Sequence, residues 1–380
     1  MVKAWCFIVS TMTKVSLEAT FTHTGFRKTN TLIATNIESS YIPCYTAQVN
    51  YLLSLQQENG GIPEHLGSYI NPWNHIECCL ALLLCGQKAA ANKGLQFLAH
   101  QQDFNGGWAA KLGPSATTQN PFFECHHASY VFVLMCLELQ LNHKSTPETG
   151  LEDMFLRALN FVLELQDPCG LFYWGKDRHS NTAKTYLKTA NCNVYLGLCA
   201  ALKCLEHPAF QHLSSYTPIL RNAHNQFKHA YTSQHHLFDA SKARYSMDAF
   251  YPILSGLCTK KDASQVLDKL FDDFVVEPIG CLCVNDEPWV TFAETAELMM
   301  ALCMANKTSQ AKHLLDWVLS YQDPQDGLFW MGYQFKQQVY WPKEKPSWTA
   351  AALVLAMHHI FKSQAYDFCF DYCLKQHTTC

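Results

Sequence analysis

Gln101-Gln102-Asp103-Phe104-Asn105-Gly106-Gly107-Trp108 is the stretch whose reading decides the fold. It closes a helical pattern with glutamine, turns on polar residues and glycine, and continues at once with an aromatic. A helix C-terminus presents unpaired carbonyls and a partial negative charge, and glycine supplies the left-handed conformation that ends it. The glutamine amide can bridge backbone groups across such a turn, and the aromatic can cover the junction with the next segment.

The same unit returns along the chain. It stands as Leu55-Gln56-Gln57-Glu58-Asn59-Gly60-Gly61-Ile62, as Leu165-Gln166-Asp167-Pro168-Cys169-Gly170-Leu171-Phe172, and as Tyr321-Gln322-Asp323-Pro324-Gln325-Asp326-Gly327-Leu328-Phe329-Trp330. Two degenerate copies, 233–238 without glycine and 278–282 around Gly280, complete a set of six. Gly60 to Gly106 spans 46 residues and Gly280 to Gly327 spans 47, while Gly106 to Gly170 is longer at 64. The polar insertion 142–150 accounts for the excess. A fixed period of this size marks a repeat architecture of stacked supersecondary units.

Each turn lies between two helical patterns. The segments before the turns (46–57, 90–102, 154–166, 219–231, 263–275 and 310–322) carry apolar residues on one face, as in Phe155, Leu159, Val162 and Leu163. The segments after them (76–84, 125–139, 190–205, 249–257, 292–304 and 348–360) are apolar nearly all round and rich in Ala, Cys and Gly. This predicts an inner ring of helices wrapped by an outer one, an all-α (α/α)6 toroid over residues 44–362. An N-terminal extension, 1–43, and a tail, 363–380, flank it. No alternating β pattern competes over any useful length.

Composition narrows the function classes. Apolar residues make up 48% and charged residues 16%, a globular balance. The net charge is −4 and no run of five basic residues occurs, so neither a nucleic-acid surface nor a polybasic membrane patch has electrostatic support. No segment reaches the ~18 apolar residues of a transmembrane helix. The opening Met1–Val9 only faintly resembles a signal peptide. Many of the 18 cysteines lie inside apolar helical runs, where cysteine behaves as a small hydrophobe, and a cytoplasmic protein is the expectation.

The Gln-x-x-x-Gly-x-Trp type of turn at Gln102–Trp108 resembles the repeat of squalene cyclases, and protein prenyltransferase β-subunits share a related pattern. The pairs Thr189-Ala190, Thr295-Ala296 and Thr349-Ala350 resemble the Thr-Ala pair that opens inner helices in those families. The resemblance implies an enzyme acting on an isoprenoid or similar lipid-like substrate in a central cavity. The functional motifs depart from it. Ala293 and Glu294 stand where a cyclase has its last two protonating aspartates, so Glu294 retains one carboxyl without its partner. The zinc ligands of a prenyltransferase are not matched either. Asp167-Pro168-Cys169 lies in a structural turn, and of Glu124-Cys125-His126-His127 only Glu124 and His127, at i and i+3, are read as sharing a helix face. No metal or cofactor is therefore assigned, with zinc left open.

Polar residues cluster where the inner helices begin. Asp248 is the leading acid or base, beside Pro252 and within reach of Arg244 or Tyr251 as orienting groups. Glu297, Glu294 and His127 complete the catalytic candidates. His75, Glu77, Glu124, Asn191, Trp289 and Trp341 are the substrate-binding candidates, the two tryptophans as stacking surfaces on rim loops. Two alternatives stay open. One is a carbohydrate-active toroid in which Glu77 pairs with Asp248 or Glu297 as acid and base. The other is a binding or scaffold toroid without chemistry.

Overall fold

In the computed structural model, residues 36–113, 120–141 and 150–361 are described. They alternate outer and inner helices. Outer α1 (Ile42–Leu55) precedes inner α2 (Pro72–Leu84), and α3 (Lys88–Gln101) precedes α4 (Cys125–Leu141). The pattern continues with α5 (Leu151–Glu164) and α6 (Lys188–Glu206), then α7 (Thr217–Ser233) and α8 (Ser246–Leu254). It ends with α9 (Lys260–Phe274) and α10 (Phe292–Met304), then α11 (Thr308–Leu319) and α12 (Ser347–Ile360).

The inner helices pack in sequence from α2 round to α12, and α12 closes the ring against α2. Each later outer helix lies on the inner helix before it, and α1 lies on α12, so first and last elements lock together. Burial follows the sequence pattern. All of α2 is buried, and all of α12 except Trp348. Outer α5 buries Leu151, Met154, Phe155, Ala158, Leu159 and Val162, one apolar stripe with its other face in water. The (α/α)6 toroid read from the sequence is the observed architecture.

The recurrent turn is a staple built by its glutamine. Gln102 Nε2 donates to the carbonyl of Gly106 in its own turn at 2.8 Å, and to that of Met154 in the first turn of α5 at 3.0 Å. Gln56 does the same with Gly60 and Ala90, and Gln166 with Gly170 and Ala223. At the closure, Gln322 and Gln48 both donate to the Gly327 carbonyl. Gly106 has φ +90°, and a Cβ there would sit 2.2 Å from the Arg157 carbonyl oxygen, so only glycine fits. The copy without glycine ends α7 at Ser233 with a short 3₁₀ turn, His235–Leu237.

Small antiparallel sheets escape the sequence reading. They are β1 (Phe122–Glu124), β2 (Gly175–Asp177) and β3 (Thr182–Ala183); β4 (Val275–Val276) and β5 (Gly280–Cys281); and β6 (Trp289–Thr291), β7 (Gly332–Gln334) and β8 (Val339–Tyr340). Strands of two or three residues are too short to show alternation, yet they brace the loops that enter the inner helices. Helix α8 is short, and Pro252 inside it offers no N–H to the carbonyl of Asp248. These helices belong to the unit Leu32–Cys380. The insertion 142–149, most of the N-terminal extension and the tail with Cys369, Cys373 and Cys380 fall outside the described residues. Among the described residues no helix is long and apolar enough to cross a membrane.

Candidate active site

The first turns of the inner helices carry a two-layer pattern. In the lower layer a side chain ties down the residue that follows the staple turn. His75 Nδ1 accepts from the Ile62 N–H at 3.1 Å, Asn191 Oδ1 from Phe172 at 2.8 Å, and Thr295 Oγ1 from Cys281 at 2.9 Å. His75 Nε2 also meets the Gly94 carbonyl at 3.0 Å, and Asn191 donates to Phe172 and Leu187. His75 and Asn191 are thus fully engaged with backbone, which corrects their reading as substrate contacts.

Two residues further along each helix stand Glu77, Ser129, Asn193 and Glu297. Here the helix axis turns the side chain inward by about half a turn. Glu77, Asn193 and Glu297 line the central cavity with Tyr130, Tyr251, Ser255 and Met300. Ser129 hydrogen-bonds Asn193 at 3.2 Å behind them. The cavity measures about 30 Å³, room for one or two waters.

Two carboxyls facing one small cavity perturb each other. Glu77 Oε1 accepts from Trp73 Nε1 at 2.8 Å, and Glu297 Oε1 accepts from the Tyr251 hydroxyl at 2.5 Å. Burial, then the charge of Glu294, pushes Glu77 up to about 8, against the lowering effect of the Trp73 bond. Burial, then the charges of Glu77 and Glu294, pushes Glu297 well above the usual carboxylate range. Glu294 itself is half-buried, beside both. The two carboxyls titrate as a coupled pair, both held above the usual carboxylate range. Trp73, whose ring lies 4.9 Å from Tyr130 and 5.9 Å from Tyr251, forms an aromatic collar with them.

The structure rearranges the rest of the expected site. Asp248 is buried, but it accepts from the Thr189 hydroxyl at 2.6 Å and the Thr189 N–H at 3.2 Å, tying α8 to the start of α6. It does not line the cavity. Arg244 is exposed and pairs with Asp286, because the α8 entry loop turns its guanidinium outward. Tyr251 serves Glu297. The expected Asp248–Arg244–Tyr251 constellation therefore does not form. Trp289 is buried and donates to the Trp341 carbonyl at 2.7 Å, with the two indoles edge to face at 5.3 Å. They seal the β6–β8 loops on each other, although Trp341 stays 43% exposed.

Glu124, His126 and His127 do come together. Glu124 Oε2 lies 3.2 Å from His126 Nε2 and 3.7 Å from His127 Nε2, and also accepts from Trp174 Nε1 at 3.1 Å. Glu124 ends β1 and steps off the helix, which lets its carboxylate face both His126 and His127. Six cavity residues went unnoticed in the sequence, Tyr130, Leu196, Leu254, Ser255, Met300 and Leu355, along with the collar residue Trp73. Only Trp73, four residues before Glu77 and so on the same helix face, carried a signal.

No family model matches the sequence. The chain is 26% identical over 311 residues, 82% of its length and 84% of the relative's, to the MMP endo-(1,4)-3-O-methyl-alpha-D-mannosidase of Mycolicibacterium hassiacum. A glycosidase solved with glucose superposes with a TM-score of 0.66 at 12% identity, covering 86% of this chain and 99% of that one. A bacterial glucoamylase bound to acarbose gives 0.66 at 10% identity, over 90% of this chain and 59% of that one. The toroid is the fold of these solved glycosidases. The resemblance to squalene cyclases and prenyltransferase β-subunits is thereby overturned, and with it the transferase or cyclase reading and the isoprenoid substrate. The staple turn misled because it is toroid scaffolding, indifferent to the chemistry inside.

Proposed function

We propose that the chain is a glycoside hydrolase acting on a mannose-containing glycan, as the named mannosidase relative suggests. The observation that carries the reading is the buried carboxyl pair Glu77 and Glu297 at one small cavity. Glycoside hydrolysis needs one carboxylic acid to protonate the leaving oxygen and one carboxylate on the other face of the sugar. Glu297, whose carboxyl burial and the charges of Glu77 and Glu294 hold well above the usual range, keeps its proton and acts as the acid. Glu77, whose ionised form the Trp73 N–H supports, acts as the base or nucleophile. Tyr251 orients Glu297 through its hydroxyl. The cavity is smaller than a pyranose ring, so binding a sugar between the two carboxyls requires their side chains to part. Fourteen described cysteines are free thiols, most of them packed as small apolar groups, and we assign the protein to the cytosol on that basis.

The test is release of reducing ends from α-linked mannan oligosaccharides, with aryl α-mannosides as a second substrate. Wild-type protein hydrolyses one of them, and Glu297→Gln and Glu77→Gln each lose at least about a thousandfold in kcat while remaining folded. Hydrolysis that survives both substitutions would place the chemistry elsewhere.

A further inference from the structure

We propose that Glu124, His126 and His127 form a binding site for one divalent transition-metal ion, with Zn2+ the best match to an N2O ligand set. Borderline cations such as zinc take imidazole and carboxylate together, commonly with three protein ligands and a fourth position for water or a sugar hydroxyl. The proposal stands apart from the hydrolase reading, since neither member of the carboxyl pair contributes a ligand.

Geometry comes first. One atom from each residue can be chosen so that all three lie within 4.8 Å of one another. In a tetrahedral site with bonds of about 2.1 Å, neighbouring ligand atoms stand about 3.4 Å apart. The observed 3.2 Å and 3.7 Å from Glu124 Oε2 to the two Nε2 atoms bracket that spacing. The three side chains are buried and held by the fold. Glu124 closes the β1–β2 register opposite Gly175, and the two histidines open α4.

The second observation is an unpaired imidazole. His127 is fully buried, and neither Nδ1 nor Nε2 has a hydrogen-bond partner. A buried polar group without a partner costs about 1–3 kcal/mol, so it calls for an explanation. The repeat sharpens the anomaly. His75, Asn191 and Thr295 occupy the same lower-layer position and bond the backbone after their turns. His127 makes no such bond and leans toward Glu124.

The ion would lie next to the carboxyl pair without touching it. The His126 ring packs edge-on to Trp73 at 5.1 Å, and Trp73 holds Glu77. Neither histidine has an acceptor at Nδ1. The site lacks the outer hydrogen bonds that strengthen metal-bound histidines, which lowers affinity by roughly 10–100-fold against a fully braced one.

The experiment uses the full chain, stripped with chelator and titrated with Co2+ and then Zn2+. Metal content is counted after gel filtration, and the visible spectrum of the cobalt form is recorded. Two variants accompany it: Glu124→Gln, which can still accept from Trp174, and His127→Asn, which takes the residue found at this position in the third repeat. Circular dichroism and Tm show that each is folded. The expected result is one cobalt ion with visible d–d bands and no thiolate charge-transfer band, displaced by zinc and lost in both variants. No saturable binding by the wild type overturns the proposal. So does binding that persists in either variant, or a thiolate band that puts the ion on cysteine.

Discussion

Trp73→Phe isolates one hydrogen bond in the carboxyl pair. The substitution keeps an aromatic ring against Tyr130 and Tyr251 but deletes the Nε1 donor to Glu77. That donor favours the ionised carboxyl, holding Glu77 at about 8 against the upward push of burial. A hydrogen bond to a charged group is worth about 1.5–3 kcal/mol, and each pH unit corresponds to about 1.36 kcal/mol. Losing it therefore moves Glu77 upward by about 1–2 pH units. Because Glu77 must be ionised to act as base, kcat/KM rises with pH through its pKa. The acidic limb of the wild-type profile should lie near pH 8, and that of the variant about 1–2 units higher. At pH 7 the variant is slower by roughly 10–100-fold, and the deficit narrows as the pH is raised. The assay is initial-rate hydrolysis across pH, with Tm measured at each pH to exclude unfolding. A limb that stays in place, or moves to lower pH, refutes the assignment of Glu77 as the ionising partner.

Other outcomes follow from the scaffold. Gln102→Ala removes two buried bonds, to the carbonyls of Gly106 and Met154, costing about 1–3 kcal/mol in urea unfolding with kcat unchanged. Gly106→Ala destabilises far more than Gly67→Ala in the same measurement. Both have positive φ, but a Cβ at Gly67 meets nothing within 4 Å and one at Gly106 collides with Arg157. Glu64, half of a buried pair with Asn74, is raised by burial from 4.5 to about 7. A raised carboxyl stabilises the fold below its unfolded pKa and loses that contribution as pH climbs through the folded one. Glu64→Gln should leave Tm unchanged at pH 4 and raise it at pH 8, by up to roughly 3 kcal/mol in stability. Arg244→Ala should change neither Tm nor kcat/KM measurably, since its pair with Asp286 lies in solvent.

The toroid was legible because its grammar is local. The staple needs a glutamine, a positive-φ glycine and an apolar cover within about eight residues, and that need repeats with every hairpin. Inner and outer helices separate by how much of their surface is apolar, which sequence also carries. The chemistry was less legible because it depends on which first-turn side chain points inward. Glu77 and Glu297 share a place in the repeat with Ser129 and Asn193, so the carbohydrate pairing could be read as an alternative. Asp248 drew attention through its proline neighbour, yet the short α8 aims it at Thr189. Arg244 met a partner 42 residues away that no local pattern announces. Tyr130 was hidden by its apolar setting, which in sequence is indistinguishable from core packing.

The central claim is that one cavity holds an acid and a base for glycoside cleavage. The most direct measurement is hydrolysis of a defined α-1,4-linked mannose oligosaccharide, followed by mass spectrometry of the products, for wild type, Glu77→Gln and Glu297→Gln in parallel. The account predicts shortened oligosaccharides with wild type and intact substrate with both folded variants. Cleavage that proceeds equally in all three would contradict it.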